Sequence, residues 1–391
     1  MSLYRCLPRL LPCRLVAPVL LFWLCTAVAQ PAAPTAGEAG AVPPPRAAVS
    51  AARAETPATE TAVARNWVQV PRLRGHLTAR DMGLVINTAD PYSVAVGEYY
   101  RHQRGIPSGQ VLRVELPLRA TLSAAEFEAF ASRVREAMGP QVQGLALAWT
   151  QPYAVECNSI TAALTLGFQP DLCKQTCAPS KPSAYFNTAT SRPFTDLGLR
   201  PSMLLASRDI AGAKALIDRG IASDHQLAQP GGPLASAVFV NTHDKARNVR
   251  SALFPPEGSL GGLGVAVEVR DVDNTAPLRR VFLYQTGLVR MDTIDKAQWL
   301  PGALADHLTS SGGQLLGNTQ MSVLDWLESG ATASYGTVSE PCNHLQKFPH
   351  PQVLLLQYLQ GATALEAYWR SVAWPAQGVF VGEPLAAPFA R

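Results

Sequence analysis

The stretch ADHLTSSGG, residues 305–313, brings together a carboxylate, an imidazole, three hydroxyls and two glycines. Acyl transfer needs a nucleophile, a proton acceptor within hydrogen-bond reach of it, and a third group that fixes the acceptor's tautomer. Ser310, with Ser311 beside it, is the candidate nucleophile here, His307 the base and Asp306 its orienter. On an extended strand, however, Asp306 and His307 point to opposite faces, and His307 shares its face with Thr309 rather than Ser310. The G-x-S-x-G elbow of α/β hydrolases is missing. The competing expectation is a tight polar turn, with hydroxyls bonded to the backbone and glycines supplying positive φ angles.

Other residues offer different chemistry. Asp244, Arg247 and Arg250 in HDKARNVR could hold an anionic group, because guanidinium forks match carboxylates and phosphates. An ion pair at a helix start would account for the same residues, and Arg208–Asp209 is open to both readings. Cys157, Cys173, Cys177 and Cys342 lie beyond the N-terminal segment, and an even number favours two disulfides in an oxidising compartment, with the pairing left open. The alternatives are a zinc site, using C-x3-C at 173–177 with Cys157 and with Cys342 or His344, and a thiolate nucleophile at Cys342 near His344. Tyr368, Trp369 and Trp374 are expected to pack rather than to form a sugar platform. The net charge of +4 is spread along the chain without a basic block, which argues against a nucleic-acid partner. No metal and no cofactor is expected.

The elements that must position these groups begin late. Arg5, Arg9 and Arg14 precede an apolar run that ends in Ala27-Val28-Ala29, so residues 1–29 read as a signal peptide cleaved before Gln30. No later segment is long and apolar enough to span a membrane. Residues 30–65, rich in Ala and Pro, read as a disordered linker. From 66 to 391 short apolar runs alternate with helical patterns. Strands are expected at 82–88, 111–116, 144–150, 202–207, 236–242, 265–269, 281–287 and 331–338, with a last one in GVFVG. Another leads into the 305–313 loop. Helices are expected after Pro91, at 123–138 behind a Ser123/Glu126 capping box, at 209–224, at 321–330 and in ATALEAYWRSV. This alternation predicts an α/β fold, a mostly parallel sheet with helices on both faces. It forms one domain, or two fused sub-domains at about 66–155 and 195–391 around a Cys-containing insertion at 156–194. Ligands bind such sheets at the carboxyl ends of the strands. That rule singles out Asn87, Thr150 to Tyr153, Asp244, residues 284–288 with Tyr284 and Thr286, and residues 306–311. Asp306, His307, Thr309 and Ser310 should then rim the main pocket, beside Tyr284, Thr286 and Gly287.

The segments VINTADPYSVAVGEYYRHQRGIP, PSMLLASRDIAGAKALIDRGIASD, DKARNVR, PGALADHLTSSGG, GATASYGTVSEPC and EAYWRSVAWPAQGVFVGEPLAAPF together resemble a family of exported bacterial proteins found in genomes that encode exosortase. That resemblance implies a periplasmic or extracellular setting in the cell envelope or exported-protein system, and no particular reaction. LLASRDIAGAKALIDRGIA, the Y-x-T-G strand end, the small-residue loop and the closing GEPL also resemble gingipain-type cysteine peptidases of the caspase-like fold. In those enzymes the strand matching VFLYQTGL ends in a catalytic His, and the next core strand ends in the nucleophilic Cys. Here Leu288 stands at the first place, and Thr309, Ser310 and Ser311 at the second. The resemblance implies the fold without its dyad. The chain is therefore expected to be an exported protein of the exosortase-associated family, with two alternatives. One is a secreted hydrolase using Asp306, His307 and Ser310; the other is a catalytically inactive caspase-like protein that binds a peptide or glycan.

Overall fold

Met82–Asn87 is buried at every position, as a strand covered on both faces must be. It is β1 of a computed structural model that describes residues 66–391 apart from 229, 230, 293 and 318. The expected signal peptide at 1–29 and linker at 30–65 lie outside the described residues. After β1 the chain runs through α1 (Pro91–Arg104), β2 (Val111–Val114), β3 (Thr121–Leu122), α2 (Ala124–Ala137) and β4 (Gly144–Leu147). A disulfide-bearing region follows, with β5 (Ala154–Val155), β6 (Asn158–Ser159), α3 (Ile160–Leu166), α4 (Asp171–Lys174) and α5 (Pro193–Leu197). Then come β7 (Ser202–Leu204), α6 (Ile210–Ser223), β8 (Ala235–Asn241), β9 (Gly258–Leu260), β10 (Val265–Asp271), β11 (Val281–Thr286) and β12 (Trp299–His307). The chain closes with α7 (Val323–Ser329), β13 (Ala333–Thr337), α8 (Pro351–Leu359), α9 (Ala364–Ser371) and β14 (Gly378–Gly382).

Local chemistry sets these boundaries. Ser123 and Glu126 form the expected capping box at the start of α2. Asp90 caps α1, with Pro91 at its first turn, and Gly105 ends it at φ 66°, a left-handed conformation that glycine adopts without strain. Asp209 caps α6 through the Gly212 N–H, while Arg208 pairs with Asp325 and Glu328 of α7.

Eleven strands form one sheet in the order β2-β1-β4-β7-β14-β13-β12-β11-β8-β10-β9, and β3, β5 and β6 form a small second sheet. Parallel pairing joins β1 to β2 and β4, β4 to β7, β8 to β10 and β11, and β11 to β12. β9 is an antiparallel edge on β10, and β14 pairs antiparallel with β13. The fold is thus α/β with a mostly parallel sheet, as expected. Strands from both sides of the 156–194 region share this sheet, meeting at β4 and β7.

The four cysteines pair as Cys157–Cys173 and Cys177–Cys342. This corrects the two alternatives for them, since the thiolates that a zinc site or a Cys342 nucleophile would need are spent in disulfides. Trp369 stacks on Phe380 with ring centroids 4.2 Å apart, and Tyr368 and Trp369 are fully buried, so these aromatics pack the core. Four helices, α3, α4, α5 and α8, come without a sequence expectation. α8 is buried at eight of its nine positions, and a helix buried nearly all round shows no apolar stripe to read.

Candidate functional site

β11 and β12 lie side by side in parallel register, with Tyr284 opposite Ala305, Gln285 opposite Asp306 and Thr286 opposite His307. The expected neighbours are therefore adjacent. The expected exposure is not found, because β12 continues through His307, and Asp306, His307 and Thr309 are each 1% exposed. The change from apolar to polar residues does not mark where the chain leaves the core. Polar side chains stay inside when each finds a partner, and here the partners come from elements distant in sequence.

Asp306 and His307 do point to opposite faces. On one face Arg250 donates from Nη1 to Asp306 Oδ1 at 2.5 Å and from Nη2 to the Thr286 carbonyl at 2.7 Å. Gln285 Nε2 donates to Asp306 Oδ2 at 2.8 Å, and the Tyr368 hydroxyl lies at 3.5 Å. Burial pushes the Asp306 carboxyl up, with the Arg250 guanidinium and the Gln285 amide pulling against it. Both charges of the pair are enclosed, at 2% and 1% side-chain exposure. Arg250 is committed to this pair and not to an external anion.

On the other face His307 Nδ1 accepts from Trp326 Nε1 at 2.8 Å. The neutral ring then carries its proton on Nε2, a buried atom outside the reach of Asp306. Burial, reinforced by the positive charge of Arg250, lowers the His307 pKa from 6.5 to about 3. The unfolded chain therefore binds a proton that the folded chain refuses. The contribution of His307 to stability is complete above about pH 6.5 and is lost as pH falls toward 3, at up to about 1.4 kcal/mol per pH unit. Urea midpoints measured from pH 7 down to 4.5 should fall with this extra one-proton slope in the native chain, and His307→Gln should lack it. Equal slopes would show that the imidazole protonates in place.

Beyond β12, Thr309 donates to Gln320 Oε1 at 2.7 Å and accepts from Arg247 Nε at 3.2 Å. Arg247 also pairs through Nη1 with Asp244 Oδ2 at 2.8 Å, and the Asp244 carboxylate accepts the Arg247 N–H. This is the ion pair expected ahead of a helical turn, here the 3-10 turn Asn248–Leu253. The Ser311 N–H donates to Gln320 Oε1, and Thr337 Oγ1 donates to the Ser310 carbonyl at 3.0 Å. The Ser310 side chain is half-buried, and its hydroxyl has no hydrogen bond among the described residues. Gly313 serves close approach rather than positive φ: a Cβ there would lie 2.6 Å from the Gly336 carbonyl oxygen. Gly287 is held against the Arg247 carbonyl in the same way.

The remaining candidates sort by their partners. Asn87 is fully buried and clamps the chain after β2, donating to the Leu116 carbonyl and accepting from the Leu116 and Ala89 N–H groups. Thr286 Oγ1 donates to the Val240 carbonyl, and Thr150 Oγ1 to that of Ser207. Leu288 packs beside Tyr284, Met291 and Trp326. Tyr284 differs from these. Its ring lies against Trp299 and Trp326 and is 3% exposed, yet its residue lines a cavity of about 320 Å³. Gln320 and Trp326 went unnoticed as site residues in the sequence; Gln285 fell within the singled-out range 284–288 without a role, and Tyr368 was expected only to pack. The cross-strand register of Gln285 with Asp306 is what gives Gln285 its role.

No family model and no curated protein matches the chain. Among solved structures it is similar to one described as "Structure of Protease", at 9% identity over 80% of this chain and 79% of that one, TM-score 0.46. It is likewise similar to the Arg specific cysteine proteinase gingipain R (RGPB), at 11% identity over 79% and 78%, TM-score 0.46. A third is the complex of Porphyromonas gingivalis RgpB pro- and mature domains, at 10% identity over 78% and 79%, TM-score 0.42.

Proposed function

We propose that this chain is an exported binding protein that holds a peptide at the strand-end loops around Arg247 and Ser310 without cleaving it. The observation that carries this reading is the engagement of the would-be catalytic groups: Asp306 is paired with Arg250 on one face of β12, and His307 accepts from Trp326 on the other. A base must reach the proton it removes. Neither of these groups hydrogen-bonds the Ser310 hydroxyl. What stays free at the loop suits binding: the Ser310 hydroxyl, and the Nη2 group of the half-buried Arg247, which has no hydrogen bond among the described residues. Both can donate to the carbonyls and carboxylates of an extended peptide. Export is supported by the two disulfides, and no helix among the described residues is long and apolar enough to cross a membrane. A role in the exported-protein system of exosortase-encoding bacteria rests on the sequence resemblance.

The test pairs turnover with binding. Native protein given fluorogenic peptide and ester libraries should show no hydrolysis above background. On a peptide array it should show selective binding that Arg247→Ala weakens about tenfold, the scale of a lost charge-assisted hydrogen bond. Hydrolysis abolished by Ser310→Ala and by His307→Gln, with both variants folded, would replace this reading with the secreted hydrolase.

A further inference from the structure

A mostly parallel sheet must be covered on both faces, and around β8 the two faces are covered by different connections. The connection from β8 to β10 passes over the Phe239 face, where Phe254 packs on Phe239 at 5.3 Å between ring centroids. The connection from β10 to β11 passes over the other face, where Val272 and Leu278 pack with Val238 and Val240. Chain leaving the carboxyl ends of two adjacent strands thus goes to opposite sides. Such a divergence opens a crevice between the strand ends, the place where open α/β sheets take ligands. At that end of the sheet, under the 272–278 connection, lies a cavity of about 320 Å³ lined also by Val240, Tyr284, Met291 and Lys296. That is large enough for a compact small molecule.

Its walls are largely apolar, from Val240, Val272, Pro277, Leu278 and Met291. Tyr284 also lines it, and the phenol is enclosed by Trp299 and Trp326 without a hydrogen bond among the described residues. With no hydrogen bond among the described residues, that hydroxyl is available to a ligand atom. Burial raises the phenol above its ordinary value, which keeps it a donor. Arg270, Lys296 and Asp271 complete the charged lining. Arg270 is already forked onto Glu268 and bonded to the Ala276 carbonyl. Lys296 is exposed and has no ion pair among the described residues. With Arg270 spent on Glu268, the groups left for a ligand are two donors, Lys296 and the Tyr284 phenol, against one carboxylate, Asp271, which favours an acceptor that bears negative charge.

We propose that this cavity, separate from the Ser310 loop, binds a small aromatic or aliphatic carboxylate. Its apolar body packs on Val240, Leu278 and Met291 while its carboxylate accepts from the Tyr284 hydroxyl and faces Lys296. Calorimetric titration of the full chain with 4-phenylbutyrate, its amide and 4-phenylbutylamine tests this. The acid should bind saturably and more tightly than the amide, and the amine should be weakest. Tyr284→Phe keeps the ring between Trp299 and Trp326 and should lower affinity for the acid about tenfold. Lys296→Ala, at an exposed position, should lower it a few-fold with the melting temperature unchanged. The proposal is overturned if no probe saturates, if Tyr284→Phe binds the acid as the native chain does, or if the amine binds best, which would make Asp271 the recognising group.

Discussion

Asp306→Ala should destabilise the chain by roughly 3–5 kcal/mol, the usual result of stranding one member of a buried ion pair. The cause is the guanidinium left behind. Arg250 is 2% exposed, and without Asp306 its remaining partners are the carbonyls of Thr286 and Pro349. A guanidinium cannot shed its charge at any accessible pH. A carboxyl can, so the opposite variant should be milder: in Arg250→Met, Asp306 can take up a proton, and burial already pushes it in that direction. Arg250→Met should therefore cost less than Asp306→Ala, and its cost should shrink as pH falls. The double variant Arg250→Met/Asp306→Leu removes both charges and should recover part of the loss. Denaturant midpoints for the three variants would check the order. If Asp306→Ala melted like the native chain while losing a measurable activity, the carboxylate would be acting on a substrate and its pairing would be incidental.

That experiment bears on what the sequence alone can reveal. Alternation of apolar strands with capped helices made the main sheet legible apart from its short β9 edge, because parallel strands buried on both faces read as apolar runs. The same regularity misled at residues 305–313. Read locally, a polar run after an apolar one looks like a strand leaving the core. Asp306 stays inside because Arg250, 56 residues earlier, and Tyr368, 62 residues later, supply its partners. His307 does so because Trp326 arrives from α7. The opposed directions of Asp306 and His307 were readable from strand alternation alone. The engagement of each was not, since partners so distant in sequence leave no local signature. The cavity at Tyr284 is a similar case: Val240, the 270–278 stretch, Tyr284, Met291 and Lys296 line it together, and only the fold brings those segments to one place.

The second large effect concerns the disulfides, whose pairing spacing left open. Cys177–Cys342 joins residues 165 apart, whereas Cys157–Cys173 spans 16. In the chain-entropy account a cross-link stabilises by restricting the unfolded chain, and more so the longer the loop it closes. Replacing Cys177 and Cys342 with Ala together should then cost about 5 kcal/mol, against about 3 kcal/mol for the Cys157/Cys173 pair. Native contacts add to the difference. The long-range bridge fixes the chain next to Thr176, whose carbonyl accepts from Lys347 Nζ, and Tyr335 holds the Lys347 carbonyl on the other side. Lys347 is fully buried, so releasing the 342–350 segment frees an ammonium that has no other hydrogen bond among the described residues. Denaturant unfolding of the two double variants, with the native chain measured before and after reduction, would rank the losses. A larger loss for the Cys157/Cys173 variant would show that strain or local packing, and not restriction of the unfolded chain, governs how these bridges stabilise the fold.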